Sequence, residues 1–357
     1  MNVFIFSPET STTHYYRAKL TKRFFDRHPE LDVRVEVSHL LPSAASGYDV
    51  LQVVYSTANP TLVPLIWLDE WREAGAALVV DCDDLVFDIP TWHPYMSKWL
   101  SWRVQDFFRD LFTKADLLTV TTPHLKKQLS RFVPTEIRDI PNAYDPLLKI
   151  HRPVSPGQLP KRVDTTPIVG FAGGAQHLWD LHVMTPVWKE LIRAGCLLQF
   201  MGCDPPDIIG KPGTSFLPGT GGGDPEPYYQ ALAHLEWDVA VAPLAEHPAN
   251  HCKSPIKVLE YRNFIGCPVV CTKSPTYAQV DDDWVTRVEG YDPKRWAAAV
   301  YEAIELGGSR GRKYSLPPEF LLDSAAPAWQ KAWSEASAIA KTRSAEPKMV
   351  SFAPVRA

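Results

Sequence analysis

The run NHCKSPIKVLEY at 250–261, followed by GCPVV at 266–270, places two lysines, a serine and a glutamate in close order. The pattern predicts a helix from Pro255 to Phe264, with Lys253 or Ser254 at its start and Glu260 one turn beyond Lys257. Backbone N–H groups at a helix start, and ammonium groups beside them, favour anionic oxygens, so the segment suits a diphosphate. Glu260 stands where a carboxylate accepts from a ribose hydroxyl. The same spacing also describes a surface helix carrying an i, i+3 Lys–Glu pair worth roughly a few tenths of a kcal/mol. A second segment, IVGFAGGAQHLWDL at 168–181, reads as a strand running into Gly173-Gly174 and then a helix. Two glycines let a backbone approach phosphate closely, and His177 follows them.

Carboxylates gather elsewhere, in LVVDCDDLVFDIP at 78–90, where a strand ends among Asp81, Asp83, Asp84 and Asp88. Groups at a strand's carboxyl end face the ligand crevice of an α/β sheet, where they meet sugar hydroxyls or a metal. The expectation is that Asp83 and Asp84 line the site with no metal bound. The histidines at 124, 177, 182, 234 and 247 have no metal-ligand spacing. Near the start, HYYRAKLTKRFFDR at 14–27 forms a basic first helix, and Arg17, nearest the first strand's end, is expected to meet a phosphate or carboxylate of an acceptor.

Elements that position these groups follow from short apolar runs at 3–6, 50–54, 77–82, 117–120, 168–171, 197–202, 238–244 and 268–271, separated by helix-length amphipathic stretches. Strands alternating with helices predict parallel sheets. A proline-rich, polar stretch between the fourth and fifth runs divides the chain. The division is 1–145 for a first lobe, 146–166 for a linker and 167–322 for a second lobe. A C-terminal helix is expected over 323–342, with Trp329, Trp333, Ala336 and Ile339 on one stripe, and a loose tail over 343–357. GTGGGDPEP at 219–227 reads as a loop, since it lacks the Lys-Ser/Thr ending of a P-loop. The aromatic run from Trp92 to Trp102 reads as a packed helix or an acceptor platform.

The chain has 357 residues, 45% of them hydrophobic and 22% charged, which suits two globular domains and excludes wholesale disorder. A net charge of −4 gives no general attraction to nucleic acid or anionic membrane. The N-terminal apolar run has strand length and lacks a basic region before it, and no window reaches the ~20 apolar residues of a membrane helix. Six scattered cysteines without CxxC pairs imply a reducing, cytoplasmic setting, with the protein soluble or peripheral.

With these segments in order, the chain resembles family 4-like, retaining GT-B glycosyltransferases. NHCKSPIKVLEY and GCPVV are similar to that family's donor segment, FAGG to the opening of its donor domain, and IPNAYD at 140–145 to the passage from first lobe to linker. The resemblance implies an α/β fold of two doubly wound Rossmann-like domains facing across a cleft, the C-terminal helix returning to the first. It implies transfer of a hexosyl or pentosyl group from a UDP-, GDP- or ADP-sugar to a hydroxyl, with retention of configuration and no cofactor or metal. Acceptors in view are a glycan, a lipid-linked sugar, a protein or a modified nucleic acid. Lys253 and Lys257 would neutralise the donor diphosphate, and Gly173, Gly174, His177, Ser254, Pro255 and Glu260 would surround the donor. Asp83 and Asp84, on what resembles the acceptor-side loop, would join the two lysines as catalytic residues lining the site, with Arg17 and Asn142 binding the acceptor. Two departures stand out. Cys252 occupies the place of the family's first glutamate, and positions 173–187 hold neither Arg nor Lys. Rival readings are a sugar-nucleotide epimerase of the same fold, a sugar-nucleotide-binding protein without turnover, and a glycosyltransferase of modified DNA bases.

Overall fold

Residues buried on both faces of a sheet read as continuous apolar runs, and the eight runs become the inner strands of two parallel sheets. In the computed structural model the first sheet comprises β1 (Asn2–Phe6), β2 (Arg34–Ser38), β3 (Val50–Tyr55), β4 (Ala77–Cys82), β5 (Leu117–Val120) and β6 (Ile137–Asp139), in the order β2-β1-β3-β4-β5-β6. The second comprises β7 (Ile168–Ala172), β8 (Leu197–Met201), β9 (Thr214–Leu217), β10 (Val239–Ala242), β11 (Val269–Thr272) and β12 (Val285–Val288), in the order β12-β11-β10-β7-β8-β9. The structure describes residues 1–8, 11–42, 47–55, 65–91, 101–148, 150, 166–203, 205, 207–220, 223–280, 283–307 and 315–345. Most of the expected linker and tail, the aromatic run through residue 100, and residues 221–222 of the glycine loop lie outside them.

Strand order reverses between β1 and β3 in the first sheet and between β7 and β10 in the second, the places where doubly wound sheets open a crevice for ligands. Register carries each β4 side chain to a defined face. Ala77 and Val79 pack toward the helix that ends at Arg27, and Leu78, Val80 and Cys82 pack toward the other layer with Phe108 and Phe112. Asp81 therefore points into the first layer, where it is completely buried.

The chain crosses between the lobes twice, and the crossings are hydrogen-bonded to each other. Tyr144 N donates to Phe320 O (2.8 Å) and Leu322 N to Tyr144 O (2.9 Å). The helix Leu322–Ala345 then returns to the first lobe, where Trp333 Nε1 donates to Gln52 Oε1 at 2.7 Å. Its buried stripe is Trp329, Trp333, Ala336 and Ala340, whereas Ile339, expected on that stripe, is 39% exposed. A 3.6-residue repeat explains the difference, because the stripe advances by four residues after Ala336 and leaves Ile339 beside it.

Candidate active site

At the carboxyl end of β7 the backbone stops at Ala172, and three groups converge on the turn that follows. Lys257 Nζ donates to Ala172 O at 2.7 Å and lies 4.8 Å from the centre of the Phe171 ring. A Cβ on Gly173 would lie 2.5 Å from Lys257 Nζ and 3.2 Å from His177 Cδ2, so the glycine keeps the space into which both side chains reach. Burial pulls the Lys257 ammonium down to about 8, with Glu260 opposing and Lys253 adding to the effect. Gly174 precedes the short 3-10 turn Ala175–His177.

The helix bearing Lys257 is Ile256–Glu260, followed by a π turn at Tyr261–Ile265 that ends on Gly266 with φ 78°. A left-handed residue there turns the chain into β11, which is why glycine precedes Cys267-Pro268. Pro255 is the N-cap, and the hydroxyl of Ser254 before it is buried without a hydrogen-bond partner. Lys253 acts by charge on both lobes, lowering the acid groups of Asp84 and Asp180 and opposing protonation of His177.

Glu260 is 4% exposed, and both its oxygens are held by tyrosine hydroxyls: Tyr16 of the first lobe at 3.3 Å and Tyr228 at 3.2 Å. Burial pushes its carboxyl up to about 7, with Lys257 and the two tyrosines pulling it back. The first helix supplies Tyr16 through its own π turn, Tyr15–Lys19, in which Tyr15, Tyr16, Arg17 and Ala18 are all buried. The same helix grips the second lobe by Lys19 to Asp224 (2.6 Å) and Arg23 to Glu226 (2.8 Å).

Across the cleft, Asp83 accepts from Thr13 Oγ1 at 2.6 Å through Oδ2, while its Oδ1 is buried without a partner. Burial and the neighbouring Asp84 push its carboxyl to about 8. Asp84 is also raised by burial, against the pull of Lys253 from the second lobe. The fold thus brings Asp84 within electrostatic reach of Lys253, and Asp83 lies beside Asp84. Among the described residues, no group of three His, Cys, Asp or Glu is arranged to hold a metal ion.

Arg17 takes a part that its sequence position did not indicate. It is 1% exposed, with Nε and Nη2 bidentate on Asp81 at 2.8 and 2.7 Å and Nη1 on Ile140 O at 2.6 Å. Its guanidinium also lies 4.6 Å from the Trp329 ring centre. A cation so enclosed is committed to buried partners and ties the first helix, β4 and the crossing segment together. Asn142 Oδ1 accepts from the same Nη1 at 3.3 Å, so Asn142 belongs to that tie. Cys252 is fully buried against the first lobe's core, and its carbonyl accepts from Thr122 Oγ1 at 3.0 Å.

Sequence reasoning missed Asp180. Its Oδ2 meets His177 Nδ1 at 2.7 Å, and its Oδ1 accepts from Ala245 N and Asn250 Nδ2, each at 2.7 Å. The i, i+3 spacing from His177 was the available signal, whereas the contacts to Ala245 and Asn250 span 65 and 70 residues.

Two parallel Rossmann-like sheets, a cleft between their carboxyl ends and a C-terminal helix returning to the first lobe define the GT-B fold. Solved structures of that fold are similar to most of the chain. HepE of Anabaena, in complex with UDP and glucose, superposes with a TM-score of 0.56 at 13% identity, covering 97% of this chain and 100% of HepE. Sucrose-phosphate synthase of Thermosynechococcus elongatus gives 0.56 at 14% identity, covering 96% and 97%. TarM gives 0.56 at 12% identity over 80% of this chain, which spans 54% of TarM's length. No protein-family model matches the chain, and no curated protein matches it by sequence.

Proposed function

We propose that the protein is a glycosyltransferase that takes a sugar from a nucleotide-diphosphate donor bound on the second lobe. The observation that carries this reading is the convergence of Lys257 and His177 over Gly173, at the switch point of the second sheet, with Asp84 within electrostatic reach of Lys253 from the first lobe. Lys253 and Lys257 balance the diphosphate, and the water-poor setting strengthens that attraction. Ser254, whose hydroxyl lacks a protein partner, adds a hydrogen bond to the donor. Glu260 receives the ribose by exchanging a tyrosine hydroxyl for a ribose hydroxyl.

The acceptor hydroxyl, its proton directed at the donor diphosphate, attacks the anomeric carbon, while the unpartnered Oδ1 of Asp83 holds a neighbouring polar group of the acceptor. The new C–O bond forms as the bond to the diphosphate breaks, and the acceptor's proton passes to the departing phosphate oxygen. Catalysis in this scheme comes from positioning and from charge stabilisation of the leaving group. Attack on the face that the diphosphate leaves retains configuration. The donor is a UDP-, GDP- or ADP-sugar, and the UDP bound to HepE favours testing UDP first. Six buried free cysteines support a reducing, cytoplasmic setting. No helix among the described residues is long and apolar enough to cross a membrane. Cys252, an apolar group at the place of the family's first glutamate, favours a second reading in which donor binds without turnover.

Calorimetric titration with UDP, GDP, ADP and their common sugar conjugates tests the reading. Selective binding of one base supports it, and release of free nucleotide diphosphate on adding candidate acceptors separates turnover from binding alone. Absence of binding to every nucleotide in folded protein overturns it.

A further inference from the structure

The donor turn lacks the arginine or lysine expected between 173 and 187, yet it places a histidine there with a buried carboxylate behind it. We propose that Asp180 is the positioning residue of the donor site, holding His177 so that it takes up a proton when the donor diphosphate binds and becomes the missing cation. This inference rests on the donor-site reading above and deepens it.

The geometry supports each link. His177 Nδ1 lies 2.7 Å from Asp180 Oδ2, which fixes the ring with its proton on Nδ1 and leaves Nε2 for a ligand. The ring edge borders the space above Gly173 that Lys257 also borders. Asp180 is anchored on its other oxygen by Ala245 N and Asn250 Nδ2, so it cannot follow the histidine if the ring turns away. Asn250 also lies in the short helix Pro248–His251, three residues before Lys253, and one carboxylate thereby anchors both the histidine and the segment that leads to Lys253.

Charged groups facing the ring are Asp180 on its own helix and Lys253 and Lys257 from the opposite segment, with Glu260 beyond Lys257. Before ligand arrives, burial and the two lysines keep the imidazole neutral, its pKa down at about 3. Burial alone would raise the Asp180 carboxyl, but the His177 hydrogen bond and the Lys253 charge outweigh it and hold it at about 2, so the anion is always present. A diphosphate cancels the two ammonium charges. Burial of the ring remains, and against it stand two anions, Asp180 on one side and phosphate oxygens on the other, which favour the doubly protonated imidazolium.

The test measures proton uptake. A nucleotide sugar recognised by the wild-type protein is titrated at about pH 7 in two buffers of different ionisation enthalpy; its diphosphate has no proton of its own to lose in that range. The wild type is expected to take up close to one proton per donor bound. His177→Gln, which fills similar space, is expected to abolish most of that uptake and weaken binding about tenfold. Asp180→Asn, checked for an unchanged thermal transition, is expected to reduce both uptake and affinity. If His177→Gln retains the wild-type uptake, Glu260 or Lys257 supplies the proton site and the inference is overturned. Uptake that persists in Asp180→Asn limits Asp180 to a structural part and overturns it equally. Donor binding with no proton uptake in the wild type defeats this inference alone, whereas failure to bind any nucleotide sugar defeats the donor site itself.

Discussion

Replacing Lys257 by methionine removes the ammonium nearest Gly173 while keeping the stem that lies against Phe171. In the free protein the change loses the hydrogen bond to Ala172 O, worth about 1 kcal/mol, and removes a cation that burial already disfavours. These effects oppose each other, so the fold should persist. In the donor complex no such offset exists. Removing one partner of a buried, hydrogen-bonded charge pair costs about 3 kcal/mol, or roughly 150-fold in Kd. Lys257 also has its pKa depressed to about 8, and diphosphate needs the cation. Above about pH 8 the wild-type affinity should therefore fall by up to a further tenfold per pH unit, beyond any slope that proton uptake at His177 gives at lower pH, and this added fall should be absent from Lys257→Met. Calorimetry with the preferred nucleoside diphosphate across this range reads both effects. A variant that binds as tightly as wild type, with the same pH profile, would refute the assignment of Lys257 to the diphosphate.

Further expectations concern the other lobe and the turn. Asp83 has its carboxyl raised from 3.8 to about 8 in the folded protein, so the folded state holds more protons than the unfolded across that window and stability falls as pH rises through it. Asp83→Asn should flatten this part of the melting-temperature profile and raise stability near pH 8 relative to the wild type; an unchanged slope would contradict the burial argument. Gly173→Ala should lose about tenfold in diphosphate affinity, as its Cβ displaces the Lys257 ammonium and crowds Phe171 and His177, which the same calorimetry reads. Trp333→Ala should cost about 3–5 kcal/mol in denaturant unfolding, since it empties a fully buried site and strands Gln52. A loss below about 1 kcal/mol would show that the returning helix is not integral to the first lobe.

The inner strands were legible and the outer ones were not. β2, β6, β9 and β12, the four sheet edges, read RVEVS, IRD, TSFL and VTRV, each mixing polar with apolar residues and none of them buried throughout. A search for unbroken apolar runs finds strands covered on both faces and passes over those half exposed. At the site, Lys257, Asp83 and Gly173 were visible because local order carries them: each lies at a strand end or on the helix that follows. Arg17 was misread for the opposite reason. Its partner Asp81 is 64 residues away, and only the packing of the first helix on β4 shows that the two charges are spent on each other. Asp180 shares that difficulty, since a carboxylate in a helical stretch carries no mark of the loop it will anchor.

The returning helix bears on how the molecule comes to exist. Trp333 and Gln52 are 281 residues apart, so the first sheet obtains one of its covering layers only when nearly the whole chain has been synthesised. Until then Arg17 lacks Trp329, and the face of β3 and β4 that the helix covers stays open to water or to other chains. Folding of the earliest-made lobe is thus completed last, by the latest-made element, and such long-range closure is slow and leaves apolar surface exposed meanwhile. A chain cut before residue 322 would retain every strand and every lysine and carboxylate of the site, and still leave its first lobe unfinished.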